Sequence, residues 1–252
     1  MIIYSRWNCV HSTLQDILDH PVSEELYEPW LYRHRACQYH NKMRRLRFSN
    51  KWLAHRLKLF KTFTYPTVLS QTNQDFTWRG LIHKDSPDWF LQKLPYFPRM
   101  EVHLVNFDTE GAVVGKPSIN IDTDDAISKY FIEQCKTVAF EGETVFSHGI
   151  KYRPYTNFWL NTTYDEAPFN MIQHPTHTVL DFLHGRSSLV KNVVYTEDPL
   201  WVQTIHEGNI ANSLNPPFSK AKGGPTSVEL SYIKKHFDIK YDNISKELCW
   251  DG

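Results

Sequence analysis

The chain has 252 residues, with 28 Lys+Arg against 28 Asp+Glu, so no overall field recruits nucleic acid or an acidic surface. That length suffices for one large α/β domain with a substantial core, and the 14% aromatic content can supply both core and platforms beneath sugars or bases. Cys9, Cys37, Cys135 and Cys249 lack CxxC spacing, which excludes a zinc ribbon and a dense disulfide framework and suits reduced, structural thiols. No stretch reaches membrane-spanning length, and the first residues carry no basic region followed by a long apolar run. The expectation is a soluble, cytoplasmic protein with peripheral membrane contact left open.

In chain order, Ile2, Ile3 and Tyr4 predict a first strand whose carboxyl end, at Arg6, Trp7 and Asn8, faces a site. Residues 11–50 read as an insertion or long loop, with Pro21 and Pro29 breaking any helix. Within it Arg33, Arg35, Lys42, Arg44, Arg45 and Arg47 form a basic run, which reads as a solvated surface or as a patch for an anionic partner. Trp52, Leu53, Arg56, Leu57, Leu59, Phe60 and Phe63 predict an amphipathic helix with Lys51, His55, Lys58 and Lys61 on its polar face, ended or kinked at Pro66. Residues 78–82 predict a second strand with Asp85 at its carboxyl end, residues 88–94 a short helix, and Val102, Leu104 and Val105 a third strand. Beyond residue 140, residues 141–148 read as hydrophilic and residues 149–154 restart an extended pattern. Short β-prone runs follow at 158–160, 169–172 and 193–195. Residues 215–225 read as a flexible loop, and residues 228–237 as a closing amphipathic piece.

The strongest functional signal is the run from Ser118 to Ile127, a short apolar strand that meets Asp122, Asp124 and Asp125. Ile127, Tyr130, Phe131, Cys135 and Val138 recur behind it at helical spacing. A strand, an acidic corner and a helix place carboxylates at the carboxyl edge of a sheet, where open α/β folds hold ligands. Carboxylates are hard ligands suited to magnesium or manganese, which protein sites usually share with substrate phosphates. The competing reading makes Asp124 or Asp125 the cap of the following helix. Alternation of strands and helices predicts an α/β layered domain with a mainly parallel central sheet.

Several pieces in this order resemble the rhamnosyltransferase family, a branch of the GT-A glycosyltransferases. They are Arg6-Trp7-Asn8, Trp52-Leu53 through Phe60 with Pro66, Gln71-Thr72 and Phe76-Thr77-Trp78, the acidic motif Asp122-Thr123-Asp124-Asp125-Ala126, and the segment from Trp201 through His206 to Asn209. The stretch 11–50 is longer than the family pattern, and His83-Lys84-Asp85 stands where an aliphatic-Asp ending is commoner. The resemblance implies a single GT-A-like (nucleotide-diphospho-sugar transferase) domain over residues 1–252. It would move rhamnose or a hexose from a nucleotide-diphosphate donor to a glycan hydroxyl, with inversion and a Mn2+ or Mg2+ ion.

By that resemblance Asp124 is a direct metal ligand, Asp122 contacts metal or ribose, Asp125 orients the corner, and His206, with His184 as next choice, completes the metal shell. Asp85 receives the ribose or base, Arg6 faces the donor phosphates, and Lys220 and Lys222 close over the diphosphate. Asp198, with Glu197, is the candidate base, against Asp181 and Glu166. The residues alone also fit a helix start for Asp198-Pro199 and a turn for Asp85-Ser86-Pro87. Two other functions compete: a metal-dependent phosphohydrolase, and a non-catalytic nucleic-acid-binding module resting on the basic run.

Overall fold

The protein is described from a computed structural model, over residues 1–9, 46–154, 158–163, 169–182, 187–205 and 226–239. Cys37, Cys249, His184, Glu166, His206, Lys220, Lys222 and the loop 215–225 lie outside the described residues, as does most of the stretch 11–50.

Two sheets organise these residues. The larger contains β1 (Ile2–Arg6), β2 (Thr77–His83), β3 (Glu101–Val105), β4 (Ser118–Asn120), β6 (Gly142–Phe146), β9 (Asn170–Gln173) and β10 (Lys191–Val194) in the order β10-β6-β9-β4-β1-β2-β3. The neighbours β1, β2, β3 and β4 are parallel, as are β6 and β10, and β9 is antiparallel to both β4 and β6, so β9 alone runs against the other six. The smaller sheet orders β12 (Thr226–Ser227), β8 (Phe158–Thr163), β7 (His148–Arg153), β11 (Trp201–Thr204) and β5 (Ala126–Ile127). The fold is therefore mixed α/β with a mostly parallel main sheet.

The apolar residues Ile2, Ile3 and Tyr4 of β1 suit a central parallel strand covered on both faces. Ile3 enters the core built with Trp52, Leu53, Phe60 and Phe131, while Ile2 and Tyr4 enter the opposite one with Leu81, Val105 and Leu180. Period-two alternation sends neighbours to opposite faces.

One continuous helical segment spans both sheets. It comprises α1 (Asn50–Leu59), a π-helical turn Phe60–Thr64, and α2 (Tyr65–Leu69). Trp52, Leu53, Leu57 and Phe60 pack in the main core, whereas Leu59 and Phe63 join the core of the smaller sheet with Tyr152, Trp159 and Phe237. Pro66 neither ends this segment nor leaves a bare gap. The Tyr65 N–H reaches back five residues to the Phe60 carbonyl, so the helix widens just before the proline that cannot donate. His55, expected on the polar face, is buried, and so is Arg56.

Two further expectations are corrected. Residues 141–148 contain β6, whose five residues are all buried; its Glu143, an acid that reads as a surface residue, accepts from the Asn170 amide at Oε1 (2.6 Å) and has Lys191 Nζ 3.7 Å from Oε2. The acidic corner does not run directly into a helix. It leaves β4, crosses to β5 in the smaller sheet, and only then reaches α3 (Phe131–Thr137). The closing amphipathic piece is helical as α4 (Leu230–His236).

Among the described residues no helix is long and apolar enough to cross a membrane. Cys9 and Cys135 are buried free thiols, and burial pushes the Cys9 thiol up to about 12.

Candidate active site

Parallel strands of the main sheet end together, so their following loops converge on one edge. Register sets Tyr4 beside Asn120, Arg6 beside Leu81 and His83 beside Val105. The residues just past these ends are Asn8 after β1, Asp85 and Ser86 after β2, Asp108 after β3, and Asp122 after β4. This is the position at which open α/β sheets place ligands.

The acidic corner is fixed from three directions. The Ile121 N–H donates to the Tyr4 carbonyl (2.8 Å), extending the ladder one residue past β4. From the π turn, the buried Thr64 hydroxyl donates to the Asp125 carbonyl (2.7 Å), with the Asp122 carbonyl at 3.2 Å. From β11, the Thr204 N–H donates to Asp125 Oδ1 (2.8 Å). A helix, a parallel strand and a strand of the second sheet thus hold one short turn.

The three carboxylates differ in environment. Asp122 is the solvent-facing one, its side chain 31% exposed, against 3% for Asp124. The Asn120 amide donates to Asp122 Oδ1 (3.0 Å) and Arg6 Nη2 lies 3.7 Å from the same oxygen. Arg6 Nη1 also donates to the fully buried Asp108 Oδ2 (3.1 Å), so Arg6 is held between two acids. Asp124 Oδ2 lies 2.7 Å from Arg56 Nη1. Burial pushes the Asp125 carboxyl well above the usual range, and the neighbouring Asp124 and Asp122 charges push it further.

The helix-cap reading of Asp124 and Asp125 does not survive. The helix begins at Phe131 with Tyr130 as its cap residue, and Asp125 instead accepts from Thr204 in another sheet.

One oxygen from each of Asp122, Asp124 and Asp125 lies within 4.8 Å of the others. Opposite ligands of a magnesium ion stand about 4.2 Å apart, so this all-oxygen set fits a hard divalent cation after a small adjustment. Asn120 Oδ1, beside them and buried without a partner, is a further oxygen donor for such an ion.

Asp85 stands in a turn past β2, its side chain 70% exposed, and its N–H donates to His83 Nδ1 (3.1 Å). Next to it the Asn8 amide donates to Ser86 Oγ (2.8 Å) while Asn8 Oδ1 accepts from the His83 N–H, tying the ends of β1 and β2 together.

The structure separates Glu197 and Asp198 from this corner. β11 runs antiparallel to β5, with Val202 beside Ala126 and Thr204 reaching Asp125. Asp198 precedes the opposite end of β11, up to about 20 Å along an extended chain from Thr204. There its Oδ1 accepts from the Tyr232 hydroxyl (3.0 Å) and lies 3.7 Å from His236 Nε2. Pro199 leads into a strand rather than a helix, so Asp198 is not a helix cap either. Asp181 belongs to a capping box with Thr178, whose neighbour Val179 donates to Ser118 at the amino end of β4, away from the corner.

Sequence reasoning missed Arg56, Asp108, Thr64 and Thr204. The first two left a signal: Arg56 falls on the apolar stripe of its helix, and Asp108 follows a β-prone run as Asp122 does. The threonines left none, since their role is set by contacts from remote elements.

Residues 33–105 match the family model described as "Putative rhamnosyl transferase". The matched segment holds α1, α2, β2 and β3, including Arg56 and Asp85, and stops before Asp108 and the acidic corner. Rhamnosyl transfer, a glycosyltransferase activity, is thus the activity named for the family that this segment resembles. No curated protein matches the chain. Among solved structures, S. aureus TarS 1–349 is similar at 11% identity, with 60% of this chain and 58% of that chain covered and a TM-score of 0.39. The same TarS fragment in complex with UDP is similar at 10% identity, with the same coverage and a TM-score of 0.34. The aligned region therefore spans somewhat over half of the TarS fragment.

Proposed function

We propose that this chain is a GT-A-like glycosyltransferase, folded as one domain, that moves rhamnose or a hexose from a nucleotide-diphosphate donor to a glycan hydroxyl with inversion, aided by Mn2+ or Mg2+. The observation that carries the reading is the carboxylate corner Asp122, Asp124 and Asp125 at the carboxyl edge of a mostly parallel sheet. The family match over residues 33–105 supports sugar transfer as the reaction class.

In this reading Asp122, the carboxylate open to solvent, and Asp124 hold the cation. His206 joins them: it is two residues from Thr204, within about 7 Å of chain reach. A divalent cation bound there supplies Lewis-acid stabilisation of the departing diphosphate. Asp125 keeps the turn in shape through Thr204 rather than touching the ion. Arg6, restrained by Asp108 and Asp122, presents a guanidinium at the edge where donor phosphates would arrive. Asp85, exposed past β2, receives the ribose or base, and Lys220 and Lys222 screen the diphosphate. Glu197 and Asp198 are not assigned the base, because β11 carries them away from the corner.

The basic run does not support the nucleic-acid reading at the position that is described: Arg47 is 7% exposed, so it is no part of a solvated cationic face. The test is a panel of nucleotide sugars incubated with Mn2+, scored for slow hydrolysis to nucleoside diphosphate and free sugar. The expected result is turnover of one donor that is lost with chelator and in Asp122→Asn. Release of phosphate from simple esters without any donor turnover would establish the phosphohydrolase instead.

A further inference from the structure

Arg56 lies on α1, one turn before the π turn that supplies Thr64, and its guanidinium sits at the acidic corner. Its Nη1 is 2.7 Å from Asp124 Oδ2, with side chains 11% and 3% exposed. The group is also braced 5.4 Å over the Trp52 ring. Two features distinguish this from an ordinary structural ion pair. The paired carboxylate belongs to a set whose oxygens lie within 4.8 Å of one another, and the corner retains buried polar atoms that the arginine does not satisfy. Those atoms are Asn120 Oδ1 and Thr123 Oγ1, with Arg56 Nε itself unpartnered.

We infer that Arg56 is a tethered counter-cation that competes with the divalent ion for Asp124, so that it sets the ion affinity of the site and holds the turn in shape when no ion is bound. The inference rests on the metal-dependent reading above. Its physical basis is direct: a fixed positive charge in contact with a ligand carboxylate repels a second cation and occupies one of its ligand oxygens, most strongly where solvent is excluded. Once an ion is bound, Arg56 has to give up or share Asp124. A donor phosphate arriving at the corner would offer it a new anionic partner, so ion binding and donor binding would favour one another. Arg56 is thus a positioning residue, not a ligand.

The experiment measures Mn2+ binding to the full chain by the electron paramagnetic resonance signal of free Mn2+. It compares wild type, Arg56→Gln, Arg56→Met, which keeps the aliphatic packing on Trp52, and Arg56→Lys. The expected result is at least about tenfold tighter Mn2+ binding in the Gln and Met variants and near wild-type affinity in the Lys variant. Their thermal midpoints should lie below wild type in chelator and rise more than wild type on adding Mn2+. A structural role would lower the midpoint without tightening Mn2+ binding. Equal or weaker binding in both neutral variants, with wild type binding Mn2+, overturns the inference and leaves the metal reading intact. Binding by the neutral variants alone supports it, and binding by no protein overturns both. Neutral variants that fold only with Mn2+ also support it; failure to fold even with Mn2+ overturns it.

Discussion

The Thr64 hydroxyl offers a sharp test of what holds the acidic corner in place. Thr64 is fully buried, and its Oγ1 donates to the Asp125 carbonyl at 2.7 Å. The Asp122 carbonyl, at 3.2 Å from the same oxygen, keeps the Asp125 N–H as a second partner (3.1 Å), so the Asp125 carbonyl is the one that loses most. Thr64→Val preserves volume and removes the donor. Orphaning a buried acceptor costs about 1–3 kcal/mol, and each kcal/mol shifts the midpoint of a chain this size by about 2–4 °C. Thermal unfolding followed by circular dichroism should therefore show a midpoint lower by about 2–12 °C. Thr64→Ser keeps the donor and loses one methyl, about 0.8 kcal/mol, so it controls for packing. A Thr64→Val protein as stable as wild type would refute the claim that the π turn holds the corner through this hydroxyl.

Gly149 lies beside Trp201 across the β7–β11 pair, and a Cβ there would stand 2.0 Å from the indole. The indole is fixed by donating to the Phe146 carbonyl (2.7 Å), so Gly149→Ala should destabilise by about 1–3 kcal/mol or more, read as a lower urea midpoint. Burial lowers the His236 pKa, the largest influence, against the raising effect of Asp198 and alongside the lowering effects of Lys235 and Lys129. The unfolded chain then binds more protons below about pH 6.5, so this group's contribution to stability is present above that pH and is lost as pH falls towards the lowered value. His236→Leu should show a shallower loss of stability than wild type between pH 6.5 and 5, measured by urea unfolding at each pH. Identical slopes would show that His236 does not titrate differently on folding.

Much of the architecture follows from local sequence. The apolar runs at Ile2–Arg6 and Thr77–His83 are strands, and the stripe from Trp52 to Phe63 is a helix, because burying those side chains requires periods of 2 and 3.6. Composition of the corner was equally legible: three acids past an apolar strand lie at a strand's carboxyl end whatever follows. What local sequence could not decide was where the chain went next. Ala126 and Ile127 are as compatible with a helix start as with an edge strand, and only pairing with Val202 and Trp201 makes them β5. That pairing turned Asp125 from a cap into the acceptor of Thr204, and carried Asp198 to the far end of β11 beside Tyr232.

Arg56 shows the same division. Its place on an apolar stripe announced a buried charge, and a buried charge needs a partner. Which acid, Asp122, Asp124, Asp125 or Asp108, was settled by the course of a helix spanning two sheets, since a contact between residues 68 positions apart has no local signature. Sequence determined which residue types could form a cation site; tertiary packing decided which carboxylate faces solvent, which meets an arginine, and which is closed off.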